Sequence, residues 1–191
     1  LNNADDLVEA LGPIIDTFQI LQIPHYVGGS IASSYHGATR STMDVDLVCE
    51  MKQSQIANFL ARIDERYYVS EVAVRQAVQR MSCFNLIHLP TSFKVDIFVS
   101  RQRPFDNDCM RRASMATLGE SITIEVPIAT AEDAIISKLE WYRLTNETSE
   151  RQWDDVSRLI QLLGDAADFS YLREAAQSVG VTDLLDRLIG N

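Results

Sequence analysis

Basic residues are in deficit: 17 Lys and Arg against 27 Asp and Glu leave a formal net charge of −10 over 191 residues. Neutralisation of phosphates by Lys and Arg supplies most non-specific affinity for nucleic acid. The balance therefore excludes a protein that grips nucleic acid across a broad basic face, and leaves open only a local basic patch. No apolar run approaches the roughly 20 residues that span a bilayer. The opening LNNADDLVEALG lacks the charged-then-apolar layout of a secretory signal, so the reading is a cytoplasmic protein with no membrane partner. Cysteine is scarce too. Cys49, Cys83 and Cys109 are odd in number and widely spaced, with no CxxC and no partnering His pair. That pattern excludes a disulfide framework and a zinc site, and the three are expected to be small buried hydrophobes. Neither an internal repeat nor a low-complexity segment is present.

What remains is ordinary for a globular chain, 46% hydrophobic and 23% charged, and long enough for one domain with a real core or a core plus a small helical appendage. Apolar residues at Leu7, Leu11, Ile14, Ile15, Phe18 and Leu21 predict a helix over 4–21, closed by Pro24. A short strand over 25–27, a Gly-Gly-Ser turn and a short helix over 31–36 follow, then a strand over 44–48. Helices are predicted over 52–63 and 71–80, with a strand over 67–69 between them. CFNLIHL (83–89) and FKVDIFV (93–99) flank a short Pro-Thr-Ser loop, the layout of an antiparallel hairpin. A strand over 121–126 ends at Pro127. From Thr130 the period is helical, over 131–143, 150–163, 169–178 and 181–189, with Thr130 and Asp133 fitting a capping box. The expected architecture is α/β (α+β): a mixed-sheet core flanked by helices over 1–127 and a C-terminal helical subdomain over 128–191.

Residues two apart on a strand point to the same side, about 6.5 Å from each other. Asp44 and Asp46 thus project together while Val45 and Leu47 face the core, and two adjacent carboxylates repel unless a cation or water separates them. On FKVDIFV, Lys94, Asp96 and Phe98 share one face. If that strand lies beside the one carrying Asp44 and Asp46, three carboxylates converge, an oxygen donor set suited to Mg²⁺ (or Mn²⁺) together with water and substrate phosphate. Upstream, Gly28 and Gly29 let backbone N–H groups approach a phosphate, Ser30 adds a hydroxyl, and the following helix directs its dipole there. Arg40 is close enough in sequence to contact phosphate or to balance the aspartates.

The pattern GGSxAxxxHGxxRxTxDVDLV with a later KVDIFV resembles the nucleotidyltransferase superfamily, and more closely the AbiEii/AbiGii-type nucleotidyltransferase-like proteins, several of which are toxins in toxin–antitoxin or phage-defence systems. SKLEWYRLTNETSERQWDDV adds to the likeness, which covers about residues 20–165. The resemblance implies a nucleotidyltransferase-like fold. It implies that Gly29 and Ser30 hold nucleotide phosphates, Asp44 and Asp46 bind metal, and Asp96 is the third carboxylate, which helps activate the acceptor hydroxyl. It implies also that Lys138 reaches the triphosphate and that Asp154 or Asp155 supports the site.

Each assignment has a plain structural counterpart. Lys138 sits near Glu140 and Arg143 as a solvated helix cation would, Asp154 pairs with Arg158 at i,i+4, and Asp155 pairs with Arg151 or Arg158. Trp141, Tyr142 and Trp153 read as core residues on apolar stripes, or as a base-stacking wall. His36 reads as a helix end; His25 and His88 have no metal spacing; Arg111 and Arg112 form a small basic spot. The leading functional expectation is a Mg²⁺-dependent transfer of a nucleoside monophosphate from an NTP to an RNA such as tRNA, a protein or a small molecule. The alternative is a non-catalytic binding module of the same fold, with a cognate antitoxin or toxin as partner.

Overall fold

The structure is a computed structural model that describes residues 3–38 and 42–190. Among these, seven strands form one mixed sheet. In chain order the elements are α1 (Asn3–Ile20), β1 (His25–Val27), α2 (Gly29–Tyr35), β2 (Asp44–Cys49), a 3₁₀ turn (Gln53–Gln55), α3 (Ile56–Leu60), β3 (Tyr67–Val69), α4 (Glu71–Arg80), β4 (Cys83–His88), β5 (Lys94–Val99), α5 (Pro104–Arg112), β6 (Ser114–Gly119), β7 (Thr123–Ile128), α6 (Ala131–Leu144), α7 (Glu150–Leu163), a 3₁₀ turn (Gly164–Ala166), α8 (Phe169–Val179) and α9 (Thr182–Ile189). Across the sheet the order is β3-β4-β5-β2-β1-β7-β6. The expected hairpin is present, β4 pairing antiparallel with β5. β5 in turn runs parallel to β2, which places the two aspartate-bearing strands side by side at the middle of the sheet.

Alternation of side chains splits these central strands into two faces. Val45, Leu47, Val95 and Ile97 are fully buried on one of them. Helices α1 and α3 cover that side, where Phe18 meets Phe59 at 5.6 Å between ring centroids and Phe59 meets Phe84 of β4 at 6.1 Å. The other face carries Asp44, Asp46 and Val48 on β2 and Lys94, Asp96 and Phe98 on β5, and is partly open. Helices α2 and α6 flank it. The sheet ends at Ile128, and the later elements among the described residues are helical.

Several expectations need correction. The helix foreseen over 52–63 is a 3₁₀ turn followed by only five α-helical residues. The last strand does not stop at Pro127 but runs through it to Ile128. Pairing with β1 begins only at Val27↔Ile128, so the N–H that proline lacks removes no bond from that ladder. Two elements, α5 and β6, lie where the periodicity predicts none. Pro104 at the start of α5, with the Asp106 carboxylate accepting from the Arg103 backbone N–H at 3.0 Å, was the available start signal. Cys49 and Cys109 are buried as expected, but Cys83 is exposed, because it alternates onto the open face of β4. Trp141 is likewise not core: it is 46% exposed, in edge contact with Phe98 at 5.8 Å, whereas Tyr142 is buried and Trp153 partly so.

Two histidines stabilise the core only when neutral. His25 donates from Nδ1 to the Ile23 carbonyl at 2.8 Å, and the Nδ1 of His88 shares a hydrogen bond with Thr91 Oγ1 at 2.8 Å. Neither Nε2 finds a partner among the described residues, and burial pushes both rings below the ordinary value near 6.5. A depressed folded pKa means that this stability is present above pH 6.5 and lost as pH falls from there through the folded values. Denaturant midpoints measured between pH 7.5 and 5 are expected to decline, and the slope to flatten in a His25→Phe/His88→Phe variant.

Candidate active site

Strands β2 and β5 are in a register that sets Asp46 opposite Asp96 and Asp44 opposite Lys94. Asp46 is therefore half-buried with a second carboxylate on the adjacent strand. Burial first, and the charge of Asp96 second, raise its pKa above the ordinary carboxylate range; Asp44 adds to this, while Lys138 and the Ser30 backbone N–H oppose it. The repulsion anticipated within Asp-Val-Asp is thus real, and its larger part comes across the strands rather than along one.

The glycine turn is built around the same carboxylate. Gly28 N–H donates to the Asp46 carbonyl at 2.8 Å, which continues the β1–β2 ladder into the turn. Gly29 then adopts φ +54°, and a Cβ placed there would stand 1.6 Å from Asp46 Oδ2. Only glycine accommodates both the left-handed backbone and that approach. The backbone N–H of Ser30 is hydrogen-bonded to Asp46, and Ser33 Oγ ties the first turn of α2 by donating to the Gly29 carbonyl at 3.0 Å. At the far end of α2, His36 is a helix end, as read, and donates from Nε2 to the Ala129 carbonyl at 2.8 Å. The expectation for Arg40 lies outside the described residues.

Two lysines border the carboxylates in different ways. Lys138 on α6 is buried, not solvated, and donates from Nζ to Asp155 Oδ2 of α7 at 2.8 Å. Asp155 thus finds a buried partner on α6 rather than only the i−4 and i+3 arginines of its own helix, and its neighbour Asp154 is exposed. The helical period puts only one of two adjacent residues against α6. Glu140, near Lys138 in sequence, turns instead to Arg103, whose Nη1 donates to it at 2.6 Å. Lys94 stands at the exposed end of β5, its ammonium 2.8 Å from Asp96 Oδ2 and 3.8 Å from Asp44 Oδ1. The hydrogen bond that it donates to Asp96 is the main cause of its raised pKa. Sequence reasoning put Lys94 on the face of Asp96 but gave it no role; its spacing two residues before Asp96 was the signal. Away from this site, Arg112 is not a free basic spot. It packs over the Tyr171 ring at 3.7 Å and contacts buried Asp133, which also accepts from Tyr171 Oη at 2.5 Å.

Among the described residues no set of three or more His, Cys, Asp or Glu closes into a metal cage. Asp96 is turned toward Lys94 instead. Mg²⁺ seldom requires such a cage, being held by one or two carboxylates with water and substrate phosphate completing its shell. An all-oxygen row in which repulsion at Asp46 is only partly offset, and which already draws an ammonium between Asp44 and Asp96, has the donor chemistry of such a site.

Two stability measurements follow. Gly29→Ala is expected to lose at least about 1–2 kcal/mol from the left-handed backbone alone, with a further loss from the clash with Asp46, read as a lower urea midpoint. Lys138→Met removes one member of the buried ion pair with Asp155 and is expected to cost up to about 3–5 kcal/mol. A double-mutant cycle with Asp155→Asn measures how much of that loss belongs to the pair itself.

No family model matches the chain, and no curated protein matches it in sequence. Solved structures do match in fold. A crystal structure of ANT(2'')-Ia in complex with adenylyl-2''-tobramycin aligns at a TM-score of 0.58 and 16% identity, covering 90% of this chain and 97% of that one. The solution structure of the same protein, described as an antibiotic-resistance factor, aligns at 0.55 and 13% over 96% and 98%. An antigenic nucleotidyltransferase-like protein from Paracoccidioides brasiliensis aligns at 0.56 and 16% over 99% and 94%. With its central β2–β5 pair, its glycine turn and its flanking helices, the chain has the nucleotidyltransferase-like fold.

Proposed function

We propose that the protein is a divalent-cation-dependent nucleotidyltransferase that transfers a nucleoside monophosphate from an NTP to a hydroxyl-bearing acceptor. The observation that carries this reading is the in-register pair Asp46–Asp96 on neighbouring parallel strands, with the Gly28–Gly29–Ser30 turn closed against Asp46. Asp44, Asp46 and Asp96 would hold Mg²⁺ or Mn²⁺, which when bound neutralises phosphate charge and steadies the departing pyrophosphate. Gly28, Gly29, Ser30 and Lys138 serve the nucleotide phosphates, with Arg40 as a further phosphate contact. Asp155 is a positioning residue, holding the Lys138 ammonium in place. Asp96 accepts the acceptor's hydroxyl proton as that oxygen bonds to the α-phosphorus; the bond from phosphorus to the bridging oxygen breaks and pyrophosphate departs.

For the acceptor, the charge of −10 favours a small or cationic molecule over a long polyanion. The fold shared with ANT(2'')-Ia, whose complex contains adenylyl-2''-tobramycin, is a precedent in the same direction. Membership of a toxin–antitoxin or phage-defence pair is supported by the sequence resemblance alone. A binding-only module is the second reading. It draws on one observation, that Lys94 already neutralises the carboxylates on which transfer depends.

Incubation with radiolabelled NTPs and Mg²⁺ or Mn²⁺, followed by a search for label on small hydroxylated amines, cellular RNA and proteins, separates the two. Transfer supports the enzyme, and the absence of both transfer and triphosphate binding overturns it. Asp46→Asn is expected to abolish transfer yet to stabilise the cation-free fold. Because the Asp46 pKa is raised, its favourable contribution is complete below the ordinary value and lost as pH rises through the folded one. At neutral pH the charge is therefore a cost, so the gain in thermal midpoint should be largest there and shrink on acidification.

A further inference from the structure

We propose that Lys94 is the resident counter-cation of the acidic site, and that a divalent cation binds by displacing its ammonium from Asp96 and Asp44. The inference rests on the reading of that site as a cation site. Both ion pairs of Lys94 are with site carboxylates, at 2.8 Å to Asp96 Oδ2 and 3.8 Å to Asp44 Oδ1. It is the second of these distances that identifies the role, because the register places Asp44 directly opposite Lys94 and Asp96 two residues along the same strand. The ammonium thus bridges the two outer carboxylates of the row Asp44, Asp46 and Asp96. Among the described residues the three carboxylates close into no cage, and one oxygen of Asp96 is engaged by the ammonium.

The two lysines differ in what holds them. Lys138 is buried and has Asp155 as a partner outside the carboxylate row, so its position does not depend on what the row binds. The Lys94 side chain is 41% exposed, on a flexible four-carbon stem at the first residue of β5, where leaving the carboxylates restores hydration at once. The exchange is one of charge for charge: the ammonium keeps its proton and moves into solvent as the dication takes the carboxylate oxygens. Lys94 consequently holds the carboxylates together while no cation is bound and sets a threshold for cation binding.

The test is Mn²⁺ binding without nucleotide, followed by the electron paramagnetic resonance of free Mn²⁺, on the wild-type chain and on Lys94→Met and Lys94→Gln, with Lys52→Met as a control for loss of a distant positive charge. Both Lys94 variants are expected to bind Mn²⁺ about 1.5- to fivefold more tightly than wild type, the range for one partly exposed ion pair removed from competition, while Lys52→Met matches wild type. Their cation-free thermal midpoints should fall below that of wild type, and saturating Mn²⁺ should raise them by more than it raises wild type. Unchanged or weaker binding in both Lys94 variants, with wild type still binding Mn²⁺, overturns the role of Lys94 and leaves the cation site standing. Equal tightening in Lys52→Met overturns it too, as a non-local charge effect. Absence of Mn²⁺ binding in every variant overturns the cation site and the role of Lys94 together.

Discussion

Two carboxylates are held next to each other on adjacent parallel strands, and much of the surrounding structure is explicable as a response. Asp46 and Asp96 cannot separate without breaking the register of β2 and β5 at the middle of the sheet, where one face of both strands is fully buried by Val45, Leu47, Val95 and Ile97. A one-residue slip would exchange the faces and bury charge. Core packing therefore holds together charges that would otherwise move apart, at a cost the fold offsets locally.

The offsets come from three directions. From β1 and α2, the turn brings a backbone N–H to Asp46, possible only because Gly29 has no Cβ. From the strand itself, Lys94 spans Asp44 and Asp96. From α6, Lys138 lowers the field at Asp46 while Asp155 of α7 fixes it there. The helical part is thus coupled to the sheet by electrostatics as well as by packing. Catalytic sites commonly show such perturbed and crowded carboxylates, and here the crowding has a geometric origin, in the parallel pairing.

The surfaces around this row differ in character. Toward α6 the face is lined by the Phe98–Trp141 pair, while toward β4 it is open, with Asn85 opposite Asp96 in register and Cys83 opposite Phe98. A substrate lying on the carboxylates would therefore have an aromatic edge on one side and an open strand surface on the other.

Period-2 alternation in Asp-Val-Asp-Leu-Val and in Lys-Val-Asp-Ile-Phe-Val was enough to state that Asp44 and Asp46 point the same way from their strand and that Lys94 and Asp96 do so from theirs, because side-chain direction on a strand is a local property. Helical spacing likewise delimited α1, α4 and α6 to α9 to within about two residues. Elements with weak periodicity were not legible: β6, with Ser-Met-Ala-Thr-Leu-Gly, and α5, mostly polar, are strand and helix because β7 and α8 lie against them. What only the tertiary structure decided was adjacency. That β5 rather than another strand lies parallel beside β2, that Lys138 meets Asp155 and not its neighbour Asp154, that Gly29 faces Asp46, and that Lys94 closes over two carboxylates fifty residues apart all depend on contacts distant in sequence. Local patterns carry the direction of a side chain; which side chain it meets is set by the packing of the whole sheet.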